Sequence, residues 1–224
     1  MMIRSAVKGL KTLLPKGRQY RKIALGPAKG CIMAVDFASD LKAYMGMFEY
    51  ELAPHFKRML KTGSKCFDVG GSGGYHALLM AKTPGARVAS FECAHDSADA
   101  MRSVFAKNPG LAIEVVEAYI GTEDRDGFMT IDKASREIFM PDVIKLDIEG
   151  AEDSALEGAL ETIKNHRPGF IIEVHGADKE ARCIALLRSF NYVVQTIDQG
   201  WFLKDPARGG YNRWLAAYPN GANH

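Results

Sequence analysis

The sequence predicts an α/β fold: a mostly parallel sheet with helices on both faces, behind a helical N-terminal cap. Two observations carry this. From Lys65 onward, short apolar runs of strand length alternate with segments of helical periodicity, the pattern of a sheet whose connections return through helices. The runs are short and apolar, as strands covered on both sides are. The length of 224 residues, 47% apolar and 25% charged, suits one compact domain. Such a chain buries about 70% of its unfolded surface and needs neither a metal nor a disulfide to fold.

Residues 1–60 read as the cap: a basic helix, an extended stretch at 31–35, then helical segments over 38–60. Residues 61–224 form the main domain. Its strands are expected at 66–69, 87–91, 111–116, 143–146 and 170–174, and its helices at 75–81, 94–106, 151–164 and 179–189. Residues 128–131 read as an extra or edge strand, and 192–197, 201–204 and 214–217 as closing strands. The helix at 151–164 is well marked. Ala155, Leu156, Ala159, Leu160 and Ile163 follow helical spacing, Glu152 and Asp153 stand in the first turn, and Lys164 in the last. In sheets of this kind ligands bind beyond the carboxyl ends of the strands, so the residues just after each strand are the ones to inspect.

Charge is unevenly placed. Residues 1–30 hold eight basic side chains and no acid, which leaves the remainder of this +2 chain at −6. The balance argues against a general nucleic-acid binder. The basic start suits a solvated helix packed through Ile3, Val7, Leu10 and Leu14, or a contact with an anionic surface. Lys8 and Lys11 interrupt the only apolar run that could act as a signal peptide, and no run of 18 apolar residues would span a membrane. Cys31, Cys66, Cys93 and Cys183 form no CxxC pair and read as small residues of a reducing cytoplasm.

After the first strand comes Asp68-Val69-Gly70-Gly71-Ser72-Gly73-Gly74-Tyr75. Four glycines in five positions let backbone approach a ligand closely. The loop lacks the lysine of a P-loop, and its glycines miss the register of a dinucleotide fingerprint. Asp68, pointing into the site, would repel a pyrophosphate but suit a ligand with positive charge, such as the sulfonium and ammonium of S-adenosylmethionine. Glu92 ends the second strand, 22 residues after Gly70, where an acid accepts hydrogen bonds from both ribose hydroxyls. The same loop satisfies GxSxG, with Ser72 as a hydrolase nucleophile and Asp147 and His175 in triad order. That reading lacks the preceding strands and the oxyanion segment it needs, and it leaves Asp68 and Glu92 unexplained.

The fourth strand runs into Asp147-Ile148-Glu149-Gly150-Ala151-Glu152, and the fifth ends Glu173-Val174-His175. Residues two apart on an extended backbone share a face, so Asp147, Glu149, Glu173 and His175 can converge at the sheet's carboxyl edge. Glu149 and Glu152 also suit a helix N-terminus. His76 and His95 read as helix-surface residues, Trp201 and Trp214 as packing, and Lys145 as a lysine that snorkels or pairs with a nearby acid.

Three stretches resemble the FkbM-type family of S-adenosylmethionine-dependent methyltransferases. They are Phe67-Asp68-Val69-Gly70 through Gly74-Tyr75, Ile144-Lys145-Leu146-Asp147-Ile148-Glu149-Gly150-Ala151-Glu152, and Arg167-Pro168 leading to Ile172-Glu173-Val174-His175. Gly46-Met47-Phe48-Glu49 is similar to the segment that leads into the family's domain. The resemblance spans about 44–217 and implies a Rossmann-like class I methyltransferase with a seven-stranded sheet. It also implies methylation of a hydroxyl oxygen on a sugar or small metabolite. Carried over by position, Asp68, Gly70, Ser72, Gly74 and Tyr75 would form the cofactor loop and Glu92 would bind ribose. Ser72 stands where the family often has Asn, and Cys93-Ala94 replaces a Pro-containing turn.

The acceptor oxygen would attack the sulfonium methyl in line, with much of the catalysis coming from positioning. An alcohol needs a base as the bond forms, and Asp147, Glu149 and His175 are the candidates, with Glu173 orienting His175 or the substrate. Mg²⁺ held by the carboxylates at these strand ends is a second way to acidify the hydroxyl. A non-catalytic S-adenosylmethionine-binding protein would keep Asp68, the glycines and Glu92 without needing the acid–base set. The expected partners are a small-molecule or glycan acceptor rather than a nucleic acid.

Overall fold

The computed structural model describes residues 17–197 and 212–221. Seven strands form one sheet: β3 (Lys65–Val69), β4 (Arg87–Glu92), β5 (Ala112–Glu117), β8 (Val143–Leu146), β9 (Gly169–Val174), β10 (Tyr192–Ile197) and β11 (Arg213–Pro219). Their order is β10-β11-β9-β8-β3-β4-β5, all parallel except β11, which runs antiparallel between β9 and β10. From β3 the chain builds outward through β4 and β5, then returns to β8 on the other side. The β3/β8 junction is therefore the switch point where a crevice opens at the strand ends. This is the seven-stranded Rossmann-like sheet that the resemblance implied.

Alternation along each strand splits the interior into two cores. Cys66, Val88, Val143, Ile171 and Trp214 face one side, and Phe67, Ala89, Ile144, Phe170 and Leu215 the other. The first core is closed by α3 (Tyr75–Ala81), α4 (His95–Phe105) and the N-terminal segment. The second is closed by α5 (Ile131–Glu137), α6 (Glu152–Glu157), α7 (Leu160–Asn165) and α8 (Ala177–Ser189).

The described N-terminal residues include an antiparallel hairpin, β1 (Gln19–Lys22) with β2 (Ile32–Val35). The extended stretch expected at 31–35 is β2, and β1 is a strand that the sequence reading did not anticipate. Short helices α1 (Leu41–Tyr44) and α2 (Ala53–Met59) follow, separated by a 3₁₀ turn at Tyr50–Leu52. Ile23, Val35, Leu52 and Phe56 are each no more than 1% exposed and share their core with α3. The expected helix through Ile3–Leu14 and the strand at 201–204 with Trp201 lie outside the described residues.

Two expectations are corrected. The helix at 151–164 is two helices, broken at Gly158-Ala159. A Cβ on Gly158 would stand 2.1 Å from the Gly121 carbonyl oxygen, and the Gly158 carbonyl accepts from the Asp132 amide at 2.9 Å, so tertiary contact fixes the break. The strand expected at 128–131 is only a two-residue pairing, β7 (Phe128–Met129) with β6 (Tyr119–Ile120), outside the main sheet. Helix α5 begins directly after it, with the Thr130 hydroxyl capping the Lys133 amide at 3.0 Å. Trp214 is packing, as expected, at 0% exposed.

Candidate active site

A polar row crosses the middle of the sheet at the switch point. Ser90, Asp68 and Lys145 are direct cross-strand neighbours on β4, β3 and β8. The Ser90 hydroxyl donates to Asp68 Oδ2 at 3.1 Å, and Lys145 Nζ lies 3.4 Å from Asp68 Oδ1 and 3.6 Å from Asp147 Oδ2. Nζ also donates to the Gly70 carbonyl at 2.8 Å. Lys145 is 2% exposed. Burial works against its charge, but Asp68, Asp147 and Glu49 outweigh burial and hold its pKa above the ordinary lysine value. Lys145 thus pairs with acids rather than snorkelling, and it ties the glycine loop to the end of β8.

The loop itself needs glycine at Gly70. Its φ is +76°, and a Cβ there would stand 1.8 Å from the Asp147 carbonyl oxygen. Gly74, with φ +81°, starts α3 against the Phe105 ring. The placement of Asp68 corrects the expectation that its carboxylate faces the ligand. Asp68 is 0% exposed and absent from the cavity wall; its Oδ2 accepts from Ser90, and its Oδ1 has no hydrogen-bond partner but is ion-paired with Lys145.

Beyond the strand ends lies a cavity of about 1110 Å³. On its β4 side stands Glu92. The Ser72 amide donates to Glu92 Oε2 at 3.2 Å and the Ala94 amide to Oε1 at 3.1 Å, so both oxygens are fixed and keep further lone pairs. Phe91, Ala118 and Ile120 supply apolar wall beside it. Tyr75 also lines the cavity, 4% exposed and edge-on to Phe48 at 5.5 Å.

The β8 and β9 ends bring together the other predicted group. His175 Nδ1 lies 2.7 Å from Glu152 Oε1, and Nε2 lies 3.5 Å from Glu149 Oε2 and 4.0 Å from Glu173 Oε2. Burial opposes the charge on Asp147, yet Lys145 and a hydrogen bond with Glu173 hold its carboxyl below the usual range. Asp147, Glu149 and His175 each offer one ligand atom, and these atoms lie within 4.8 Å of one another. The nearest partner of His175 is Glu152, which the sequence reading assigned only to a helix N-terminus.

Three of the five non-glycine residues with positive φ among the described residues line this cavity: Glu49 at +45°, Ser72 at +46° and Glu149 at +50°. Left-handed backbone costs such residues about 1–3 kcal/mol each and collects at functional sites. Glu49 and His76 were not among the predicted site residues. His76 is 5% exposed, stacked on Phe56 at 5.6 Å, with Nε2 3.3 Å from Glu49 Oε2. The surface reading of His76 fails because every residue of α3 is buried between the sheet and the N-terminal segment. His95 is exposed, as expected.

Burial, helped by the Lys145 ammonium, pushes His76 down to about 4 against the opposing pull of Asp68 and Asp147. The imidazole is therefore neutral beside Glu49 Oε2. The unfolded imidazole titrates near about 6.5, so below that pH the unfolded chain takes up a proton that the folded chain refuses. Stability is therefore full above pH ~6.5 and falls toward pH ~4, by up to about 3 kcal/mol. Urea unfolding across this range checks it: His76→Gln should flatten the slope, and an unchanged slope would refute the assignment.

Residues 84–200 match the methyltransferase FkbM domain. This chain belongs to the FkbM methyltransferase family. The methyltransferase FkbM of Methylobacillus flagellatus KT shares its fold with a TM-score of 0.55 and 20% identity, over 80% of this chain. The present chain spans 56% of that protein's length. A putative rRNA methylase of Clostridium thermocellum aligns at TM-score 0.50 and 14% identity, over 74% of this chain and 91% of its own. Aeropyrum pernix fibrillarin, solved with natively bound S-adenosylmethionine, aligns at 0.52 and 12%, over 71% of this chain and 68% of its own. No curated protein matches the sequence. Among the described residues no helix is long and apolar enough to cross a membrane.

Proposed function

We propose that this FkbM-family protein uses S-adenosylmethionine to methylate a hydroxyl oxygen of a sugar or small metabolite. The observation that carries this is one cavity with Glu92 and the glycine loop at one end and His175 among carboxylates at the other. The residues suit the cofactor. Glu92 has lone pairs free for ribose hydroxyls, the neighbouring apolar wall suits an adenine ring, and Asp147 suits an ammonium. Gly70, Ser72 and Tyr75 shape the loop, while Asp68 and Gly74 support it from behind.

Bound S-adenosylmethionine supplies an electrophilic methyl carbon. His175 then takes the acceptor's hydroxyl proton on Nε2, a contribution of ~10²–10⁴-fold. Glu149 and Glu173 border the same nitrogen, at 3.5 and 4.0 Å. The carboxylate-lined end suits the hydroxyls of a small molecule or glycan better than a phosphate backbone, whose charge it would repel. A second reading rests on the close approach of Asp147, Glu149 and His175: a divalent cation such as Mg²⁺ held there would acidify the hydroxyl instead. The hydrolase alternative loses ground, because its triad needs Asp147 behind His175, whereas the carboxyl at His175 Nδ1 is that of Glu152.

Thermal-shift measurements with S-adenosylmethionine, S-adenosylhomocysteine, NAD and ATP test the cofactor, with and without Mg²⁺ or EDTA. A selective shift with the first two is expected. Calorimetry on Glu92→Ala should show S-adenosylmethionine affinity weakened about tenfold to a hundredfold, the loss of charged hydrogen bonds of ~1.5–3 kcal/mol. Unchanged affinity would refute the ribose role. Transfer of labelled methyl to a panel of sugars and hydroxylated metabolites separates the enzyme from a non-catalytic binder.

A further inference from the structure

We infer that Glu152 is a positioning residue that locks His175 in the Nδ1–H tautomer and turns a bare Nε2 toward the acceptor. The inference rests on the reading of His175 as the base, but its geometry stands apart from that reading. Glu152 is 0% exposed at the start of α6, immediately after the Gly150 turn (φ +97°). Its Oε1 accepts from the Gly150 amide at 2.8 Å and faces His175 Nδ1 at 2.7 Å. An oxygen already accepting from one N–H is an acceptor toward the second, so the proton between Glu152 and His175 sits on Nδ1. In the neutral ring Nε2 then carries a lone pair, and Nε2 is the nitrogen nearest Glu149 and Glu173 at the cavity.

Stability does not explain Glu152. Its Oε2 is buried with no hydrogen-bond partner, which costs about 1–3 kcal/mol. An acid placed only for the helix dipole would do as well in solvent. A fully buried carboxyl with one oxygen clamped between a turn amide and an imidazole fixes the ring's rotation as well as its tautomer. The clamp also joins the two strand ends. Glu152 leads off the helix after β8, and His175 directly follows β9, so the pair bridges the ends of adjacent strands.

The test is nitrogen NMR of the full chain labelled at its histidines, with the His175 signals assigned through His175→Gln. Spectra are taken at a pH where the titration of these signals is complete. The wild type should show Nδ1 protonated and Nε2 bare. Glu152→Gln keeps an oxygen acceptor and should keep that tautomer, whereas Glu152→Ala should give a mixture of tautomers. Methyl transfer should fall about tenfold to a hundredfold in Glu152→Ala and be largely retained in Glu152→Gln, with S-adenosylmethionine affinity unchanged in both. If Glu152→Ala fails to fold, the wild-type tautomer and Glu152→Gln decide. An Nε2–H tautomer in the wild type, a ring still doubly protonated at about pH 9, or an unaltered tautomer in folded Glu152→Ala would overturn the positioning. A bare Nε2 together with full methyl transfer by His175→Ala would leave the clamp standing and overturn the base.

Discussion

Lys145→Met should lower stability by about 3–5 kcal/mol, the scale for breaking a buried ion pair by removing one partner. The side chain keeps its volume, so the cost comes from charge. Asp68 is 0% exposed and would be left with the Ser90 hydroxyl alone, Asp147 would lose the cation that holds its carboxyl low, and the Gly70 carbonyl would lose a donor. For a chain of this size each kcal/mol corresponds to about 2–4 °C, so the melting temperature should fall by about 6–20 °C. A second substitution, Asp68→Asn, should recover part of the loss by removing the stranded charge. Calorimetric unfolding of both variants decides. A melting temperature within about 2 °C of wild type would mean that the row Ser90–Asp68–Lys145 does not organise the switch point.

His175→Ala should reduce kcat by ~10²–10⁴-fold while leaving S-adenosylmethionine affinity within about twofold. Glu92 and the glycine loop hold the cofactor at the other end of the cavity, so binding and proton transfer separate by position. Removing a base used only in the transition state lowers kcat and kcat/KM together. Single-turnover methyl transfer measures this directly. An undiminished rate would move the base to Asp147 or to metal-bound solvent.

The parallel strands and their helices were legible because each is decided locally. The strand at 143–146, the helix at 75–81 and the strand at 192–197 stand at the expected residues, since short apolar runs and helical periodicity arise within a few neighbours. The break at Gly158 was not legible, because only the approach of Gly121 from a distant turn forbids a continuous helix there. Asp147, Glu149, Glu173 and His175 do lie together as expected, but Asp147, Glu149 and His175 stand just beyond the strand ends, and Glu149 has a left-handed backbone rather than an extended one. Their partnerships were not legible. Glu152 reads as a helix acid until β8 and β9 are paired, and Asp68 reads as a ligand contact until Lys145 is seen beside it in the next strand. His76 reads as a surface residue because the layer that covers α3 comes from residues some 20–50 positions earlier in the chain.

By itself, the sequence determined the kind of sheet, the glycine turn at its first strand and the acidic side chains gathered at its carboxyl edge. These follow from side-chain period, glycine's access to positive φ and strand alternation. Tertiary structure alone decided which acids face the cavity and which serve the protein. Burial and pairing across strands set the partners and direction of Asp68, Lys145, Glu152 and His175, and those neighbours are remote in the chain.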